Sequence, residues 1–279
     1  INGGSVSIRG DISSQFITSL LMAGGVTENG IGVKITSELK SKPYVDITID
    51  ILDAFGIEIE TTQSGYYVPG GQVYGAKKSL YKIPGDFSSM SYLLAAGALA
   101  SEEGIEIKSA QRSSQGDAAI IDILSDMGAE IEWDIKNETI KIAKSELSGI
   151  KVDVGNTPDL LPTIAVLGAV AKGETRIVNC AHVRYKETDR VAAMSEELQK
   201  LGVVTKEKHD ELIIKGATAP ILGKELDGRG DHRIVMSLSI LGLVSSGETL
   251  IKGSEHVGVS YPDFFQVLKS LGAEIKGDQ

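Results

Sequence analysis

The feature that most constrains this chain is a phrase repeated four times, an acidic residue opening a run of small and apolar residues, at Asp11, Asp86, Asp159 and Asp231. The copies, GDISSQFITSLLMAG, GDFSSMSYLLAAGAL, PDLLPTIAVLGAVAKG and GDHRIVMSLSILGLV, lie 72 to 75 residues apart. A second phrase keeps register with the first: ITIDILDAFGIEIE, AAIIDILSDMGAEIE, VAAMSEELQKLGVV and FFQVLKSLGAEIK place Gly56, Gly128, Gly202 and Gly272 at intervals of 70 to 74 residues. A constant interval in two phrases marks a duplicated unit, and this interval exceeds the roughly 20 to 50 residues of a solenoid repeat. Each copy is therefore expected to be a small subdomain of βαβαββ type.

Asp or Ser ahead of an apolar run at helical spacing reads as an N-cap, because its side-chain oxygen accepts from backbone N–H groups that the first turn leaves unpaired. The first phrase is thus expected to form a mostly buried helix. In the second phrase Ile47, Ile51, Leu52 and Ala54, and likewise Ile120, Leu124 and Met127, fall on one helical face. The glycine that follows suits the left-handed C′ position, with a short strand after it. Between the phrases, IGVKITS, YYVPGG, GIEIKSA, TIKIAKS, TRIVNCA, ELIIKGA and ETLIKGS read as strands bounded by turns. Two helices and three or four strands per copy give a mixed α/β (α+β) fold.

At 279 residues, with 42% hydrophobic and 24% charged residues, the chain has material for packed cores and about two domains. Its one cysteine, Cys180, excludes an internal disulfide and reads as a small core residue suited to a reducing cytoplasm. The longest near-apolar stretch, Leu160 to Ala171, contains Pro162 and falls well short of the roughly 20 residues that cross a bilayer, so no membrane span is expected. Ile1 opens into a Gly-rich, strand-like run with no signal peptide, and the first helix follows without the strands that precede later copies, so a piece of something longer is expected. A net charge of −10 argues against a nucleic-acid surface and leaves any anionic ligand to a local basic cluster.

Three clusters fit that role. VRYKETDR gathers Arg184, Lys186, Glu187, Asp189 and Arg190 ahead of an amphipathic helix. A solvated helix start with i,i+3 and i,i+4 pairs explains the same residues, and both readings stay open at this point. GRGDHR, Gly228 to Arg233, sets two arginines, Asp231 and His232 at the mouth of the fourth buried helix, where a capped helix after a Gly-rich turn is the plainer reading. Asp11 to Gln15 puts two hydroxyls and an amide at a helix N-terminus, which serves equally as an anion site or as ordinary capping.

In this order, GDISSQFITSLLMAG, SKPYVDIT, GDFSSMSYLLAAGAL, RYKETDR, GDHRIVMS and SYPDFF closely resemble the enolpyruvyl transferase family that acts on shikimate 3-phosphate, over essentially the whole chain. The related transferase acting on UDP-N-acetylglucosamine shares the fold but not RYKETDR and SSQF, and it is the alternative, beside a non-catalytic remnant of the same fold. The resemblance implies six such subdomains in two globular halves, with buried parallel helices and outer mixed sheets. Four are present here, which implies a C-terminal fragment that alone turns over little. An incomplete half that binds shikimate 3-phosphate is expected over 1–83 and a nearly complete half over 84–279, with a strand-like hinge near Tyr81 to Pro84. A separate chain carrying the missing units is an open partner.

Carried over residue by residue, the resemblance assigns Ser13, Ser14 and Ser41 to the phosphate of shikimate 3-phosphate, Tyr44 to the shikimate ring and Gln15 to both substrates. Asp159 would accept the proton of the attacking 5-hydroxyl, and Lys186 would hydrogen-bond that hydroxyl. Glu187 would deliver and retrieve the proton at the methylene carbon of phosphoenolpyruvate. Arg190 and Arg233 would bind its carboxylate with support from His232, and His182 would stand where the family often has a shikimate-contacting Asn. No metal and no cofactor are implied. A further family Lys ahead of the last Pro is replaced by Val259.

Overall fold

The computed structural model describes residues 1–277. The first copy runs β1 (Gly4–Ile8), α1 (Ser14–Gly24), β2 (Ile31–Ile35), α2 (Lys42–Ala54), β3 (Glu60–Thr62), β4 (Gly65–Val68). The second runs α3 (Phe87–Ala100), β5 (Ile105–Lys108), α4 (Ile120–Asp126), β6 (Ile131–Asp134), β7 (Thr139–Ile142). The third runs β8 (Lys151–Asp153), α5 (Leu161–Val170), β9 (Glu174–Val178), α6 (Arg190–Lys200), β10 (Val204–Lys208), β11 (Glu211–Lys215). The fourth holds β12 (Glu225–Asp227), α7 (His232–Gly242), β13 (Leu250–Lys252) and α8 (Phe264–Ser270).

The sheets repeat as the elements do. The first copy orders its strands β1-β2-β4-β3 and the third β8-β9-β11-β10, each with one parallel pair followed by two antiparallel ones. The second copy keeps the antiparallel part, β5-β7-β6, and the fourth keeps the parallel pair β12-β13. The strand-like run read ahead of the first helix forms β1, which pairs along its length with β2. No strand follows Gly272 among the described residues, and the stretch from Tyr81 to Pro84, expected as strand-like, pairs with no sheet. Pro84 has no N–H to donate to a ladder, and Ile83 stays 81% exposed.

All four second-phrase helices close identically. Gly56, Gly128, Gly202 and Gly272 have φ between 83° and 97°, a region closed to most side chains. Each glycine N–H, and the N–H after it, turns back onto the last turn, as in Gly202 to Gln199 (3.0 Å) and Val203 to Leu198 (3.1 Å). The second bond joins Ile57 to Leu52, Ala129 to Leu124, Val203 to Leu198 and Ala273 to Leu268, so an apolar pair seals every cap.

The chain divides into two compact units, Ile1–Pro84 with Arg112–Gly116, and Gly85–Gln111 with everything from Asp117 onward. In the second unit the first-phrase helices α3, α5 and α7 pack on one another and bury most of their residues, as expected. In the first unit α1 departs from that expectation: only Ser14, Ile17, Leu21 and Gly24 are buried, while Phe16 and Met22 are about half exposed. Its partners there are α2, β2 and β4, with no second helix of its own kind.

Candidate active site

In the first unit the N-terminal ends of α1 and α2 are tied together by their loops. The Gly10 N–H donates to Ser37 Oγ (3.0 Å), the Lys40 N–H to the Gly10 carbonyl (3.0 Å), and Ser37 Oγ to Asp11 Oδ1 (2.8 Å). Gly10 permits this approach, since a Cβ there would lie 2.8 Å from Ile35 Cγ2. Asp11 is not a cap, as the repeat suggested: Arg9 binds it at 2.6 and 3.0 Å, and that hydrogen bond, with the one from Ser37, holds its carboxyl below the usual range. Ser13 caps α1 instead, accepting from the Gln15 N–H at 3.2 Å.

Ser13, buried Ser14 and exposed Gln15 therefore start one helix, and buried Ser41 and half-buried Tyr44 start the other. Ser41 has φ 56° and makes no capping hydrogen bond with its side chain. A left-handed serine costs roughly 1–2 kcal/mol, and such strain gathers where a ligand needs a group aimed off the regular path.

The second unit brings the basic clusters onto shared carboxylates. Arg190 opens α6 with its side chain 1% exposed, and each nitrogen has a carboxylate partner. Nε donates to Asp231 Oδ2 at 2.7 Å, Nη1 to Asp159 Oδ1 at 2.8 Å and Nη2 to Glu187 Oε2 at 2.6 Å. Arg233, on α7, reaches Asp159 Oδ2 at 2.8 Å, and its Nη1 donates to the buried Tyr92 Oη at 3.3 Å. Asp159 lies in a 3-10 turn, Pro158–Leu160, ahead of α5, so it too is no cap. Burial raises its pKa, but Arg233, Arg190 and Lys186 outweigh burial and hold the carboxyl well below its ordinary value.

Asp231 is fully buried and serves twice, accepting from the Arg233 N–H at 2.8 Å as the cap of α7 while gripping Arg190. His232 is buried beside it; burial, then the Arg233 charge, lowers its pKa, which leaves the imidazole neutral at pH 7. Lys186 is partly buried in the loop before α6, and His182 is buried in the 3-10 turn Ala181–Tyr185. The cluster mixes both signs: Arg190, Arg233 and Lys186 face Asp159, Asp231 and Glu187, and buried Asp117 also acts on Arg233.

A family model described as EPSP synthase (3-phosphoshikimate 1-carboxyvinyltransferase) matches residues 1–268. The chain belongs to the EPSP synthase family. A 3-phosphoshikimate 1-carboxyvinyltransferase of Halobacterium salinarum is 58% identical over 99% of this chain and 65% of its own length. One from Methanococcoides burtonii is 49% identical over 99% of this chain and 64% of its own. Among solved structures, EPSP synthase from Acinetobacter baumannii superposes with a TM-score of 0.82 at 27% identity, covering 100% of this chain and 64% of that one. The enolpyruvyl transferase NikO of Streptomyces tendae shares the fold, with a TM-score of 0.75 at 20% identity over 99% of this chain and 65% of that one. The chain thus spans about 65% of the length of the EPSP synthase relatives it matches.

Residues whose part sequence reasoning did not reveal hold the cluster together. Asp231 was read as a helix opener within the GRGDHR cluster but not as a partner of Arg190, and Tyr92 was not singled out. Arg184, read as one more charge in its motif, donates to Asp189 and Glu207 (both 2.8 Å) and to the carbonyls of Lys208 and His209, which ties the loop bearing Lys186 and Glu187 to the β10–β11 hairpin. Arg229 turns away from the cluster to Glu196 and Glu197. Val259 is 75% exposed in the turn Ser254–Val259.

Proposed function

We propose that the protein to which this chain belongs transfers the enolpyruvyl group of phosphoenolpyruvate to the 5-hydroxyl of shikimate 3-phosphate, with release of phosphate. The observation that carries the proposal is the meeting of Arg190 and Arg233, from different copies of the repeat, on one carboxylate-sized position 2.8 Å from each. Two guanidinium groups aimed at one point match a small carboxylate, which each binds through charge-assisted hydrogen bonds. In the first unit, taken by itself, Ser13, Ser14 and Ser41 stand at two tied helix N-termini, which suits the phosphate of shikimate 3-phosphate. Gln15 and Tyr44 border that end, as ring contacts would require.

The chemistry needs an acid and a base for one small substrate. The 5-hydroxyl gives up its proton as its oxygen bonds to C2 of phosphoenolpyruvate, while a proton is added to the methylene carbon. Loss of phosphate and of a proton from that carbon then restores the double bond. Asp159 takes the hydroxyl proton with Lys186 beside it, and Glu187, the most exposed carboxylate of the cluster, serves the methylene carbon. His232 supports the arginines, and His182 lies one turn ahead of Lys186. We place shikimate 3-phosphate on the first unit, up to about residue 83, and phosphoenolpyruvate on the second, as a cytoplasmic reaction.

The test is phosphate release when purified protein meets both compounds, against either compound alone. Release that needs both, and that falls by orders of magnitude in Glu187→Gln with shikimate 3-phosphate affinity kept, supports the proposal. Phosphate release without shikimate 3-phosphate, or binding of neither compound, contradicts it.

A further inference from the structure

We propose that Asp159 holds the place of the substrate carboxylate between Arg190 and Arg233, and that an incoming carboxylate frees it to act as a base by taking that place. This rests on the reading that a carboxylate substrate binds the two arginines. Asp159 sets one oxygen on each guanidinium, 2.8 Å from Arg190 Nη1 and 2.8 Å from Arg233 Nη2, which is how a bound carboxylate would bridge them.

Every nitrogen of Arg190 already has a carboxylate partner: its side chain is 1% exposed, and Asp231, Asp159 and Glu187 take Nε, Nη1 and Nη2, with four of its five N–H groups engaged. An anion that takes two of its N–H groups, or the position it shares with Arg233, displaces one of the three. Asp231 is fully buried and also caps α7, so its departure would undo a helix start. Glu187 touches Arg190 at 2.6 Å but makes no bond to Arg233 among those found, so its departure would not open a site shared by both arginines. Asp159 is the carboxylate common to the two.

Charge leads to the same exchange. The three cations already face Asp159, Asp231 and Glu187, with buried Asp117 also acting on Arg233, and a further carboxylate entering without displacement would add an unpaired negative charge to a buried cluster, which is costly. A carboxylate with both oxygens held by guanidinium groups is also a poor proton acceptor. Placeholder and base are therefore successive roles of one side chain. The hydroxyl is not deprotonated until the carboxylate partner is seated, which couples base strength to occupancy without a moving lid.

The test uses the full chain with phosphoenolpyruvate as the probe, its affinity read by NMR titration for the native chain, Asp159→Asn and Glu187→Gln. In Asp159→Asn the arginines lose a buried counter-charge that the ligand then replaces, so the probe binds about tenfold more tightly or better. Glu187→Gln, which removes a carboxylate that touches Arg190 alone, is expected to tighten binding clearly less than Asp159→Asn does. In the native chain the carboxyl carbon resonance of Asp159, followed with pH, shifts its titration upward when the probe is bound. That readout stands even if Asp159→Asn fails to fold.

Binding to the native chain with no tightening in folded Asp159→Asn, tightening in Glu187→Gln instead, or an Asp159 titration unmoved by bound probe overturns the exchange and leaves the carboxylate site intact. Absence of binding to every variant overturns both.

Discussion

Asp159 owes its lowered pKa to partners that exist only in the folded chain, and this makes acid stability a test of the cluster. A carboxylate whose folded pKa is depressed binds protons more readily when unfolded. Its contribution is complete above the ordinary value of about 3.9 and drains away as pH falls toward the folded value. Urea unfolding is therefore expected to show stability falling below about pH 4, with a shallower fall in Asp159→Asn. His232 adds an earlier step of the same sign: with its folded pKa below the ordinary 6.5, stability begins to drop as pH passes below about 6.5, and its ring protons in NMR should titrate under that value. Cys180 is buried, and burial, aided by Asp210, pushes its thiol up to about 12. An iodoacetamide assay should find it unreactive in the folded chain and alkylated once the chain is unfolded; rapid alkylation at neutral pH in the folded chain would contradict that burial.

At the scale of the element, the four glycine-closed helices show what was readable. Gly56, Gly128, Gly202 and Gly272 could be placed because a left-handed C′ residue is a local demand, met by one residue type and by apolar neighbours five positions apart. Gly202→Ala, in a position where φ is 83° and nothing crowds a Cβ, is expected to cost about 1 to 2 kcal/mol from backbone strain alone, measured by denaturant unfolding. The openers were less readable. Asp86 and Asp231 cap their helices as expected, with Asp86 accepting from the N–H groups of Ser88 and Ser89, whereas Asp11 and Asp159 do not. The difference lies in Arg9 for one and in Arg190 and Arg233 for the other, and the latter two stand 31 and 74 residues away along the chain. No local pattern reveals such a partner. The motif RYKETDR pointed to the right loop, but not to the way Arg184 anchors it or to the three carboxylates that surround Arg190.

The two units differ most in how much they bury. The second packs α3, α5 and α7 around one extended core, while the first holds a small core of Ile17, Leu21, Val33, Val45, Leu52, Ile57, Tyr66 and Val68 under a helix with one face in solvent. Hydrogen exchange should therefore find the amides of α1 opening at a lower free energy than those of α5, and equal protection would show that buried area does not set the order. The proposed phosphate site lies at two serine-bearing helix starts in one unit, and the proposed carboxylate site at Arg190 and Arg233 in the other. Exchange read by mass spectrometry, with shikimate 3-phosphate and phosphoenolpyruvate added separately, tests them most directly. The account predicts that the first ligand protects the segments around Ser13–Gln15 and Ser41–Tyr44, and that the second protects those around Asp159, Lys186–Arg190 and His232–Arg233. Protection confined to other segments, or absent with both ligands at saturating concentration, would contradict it.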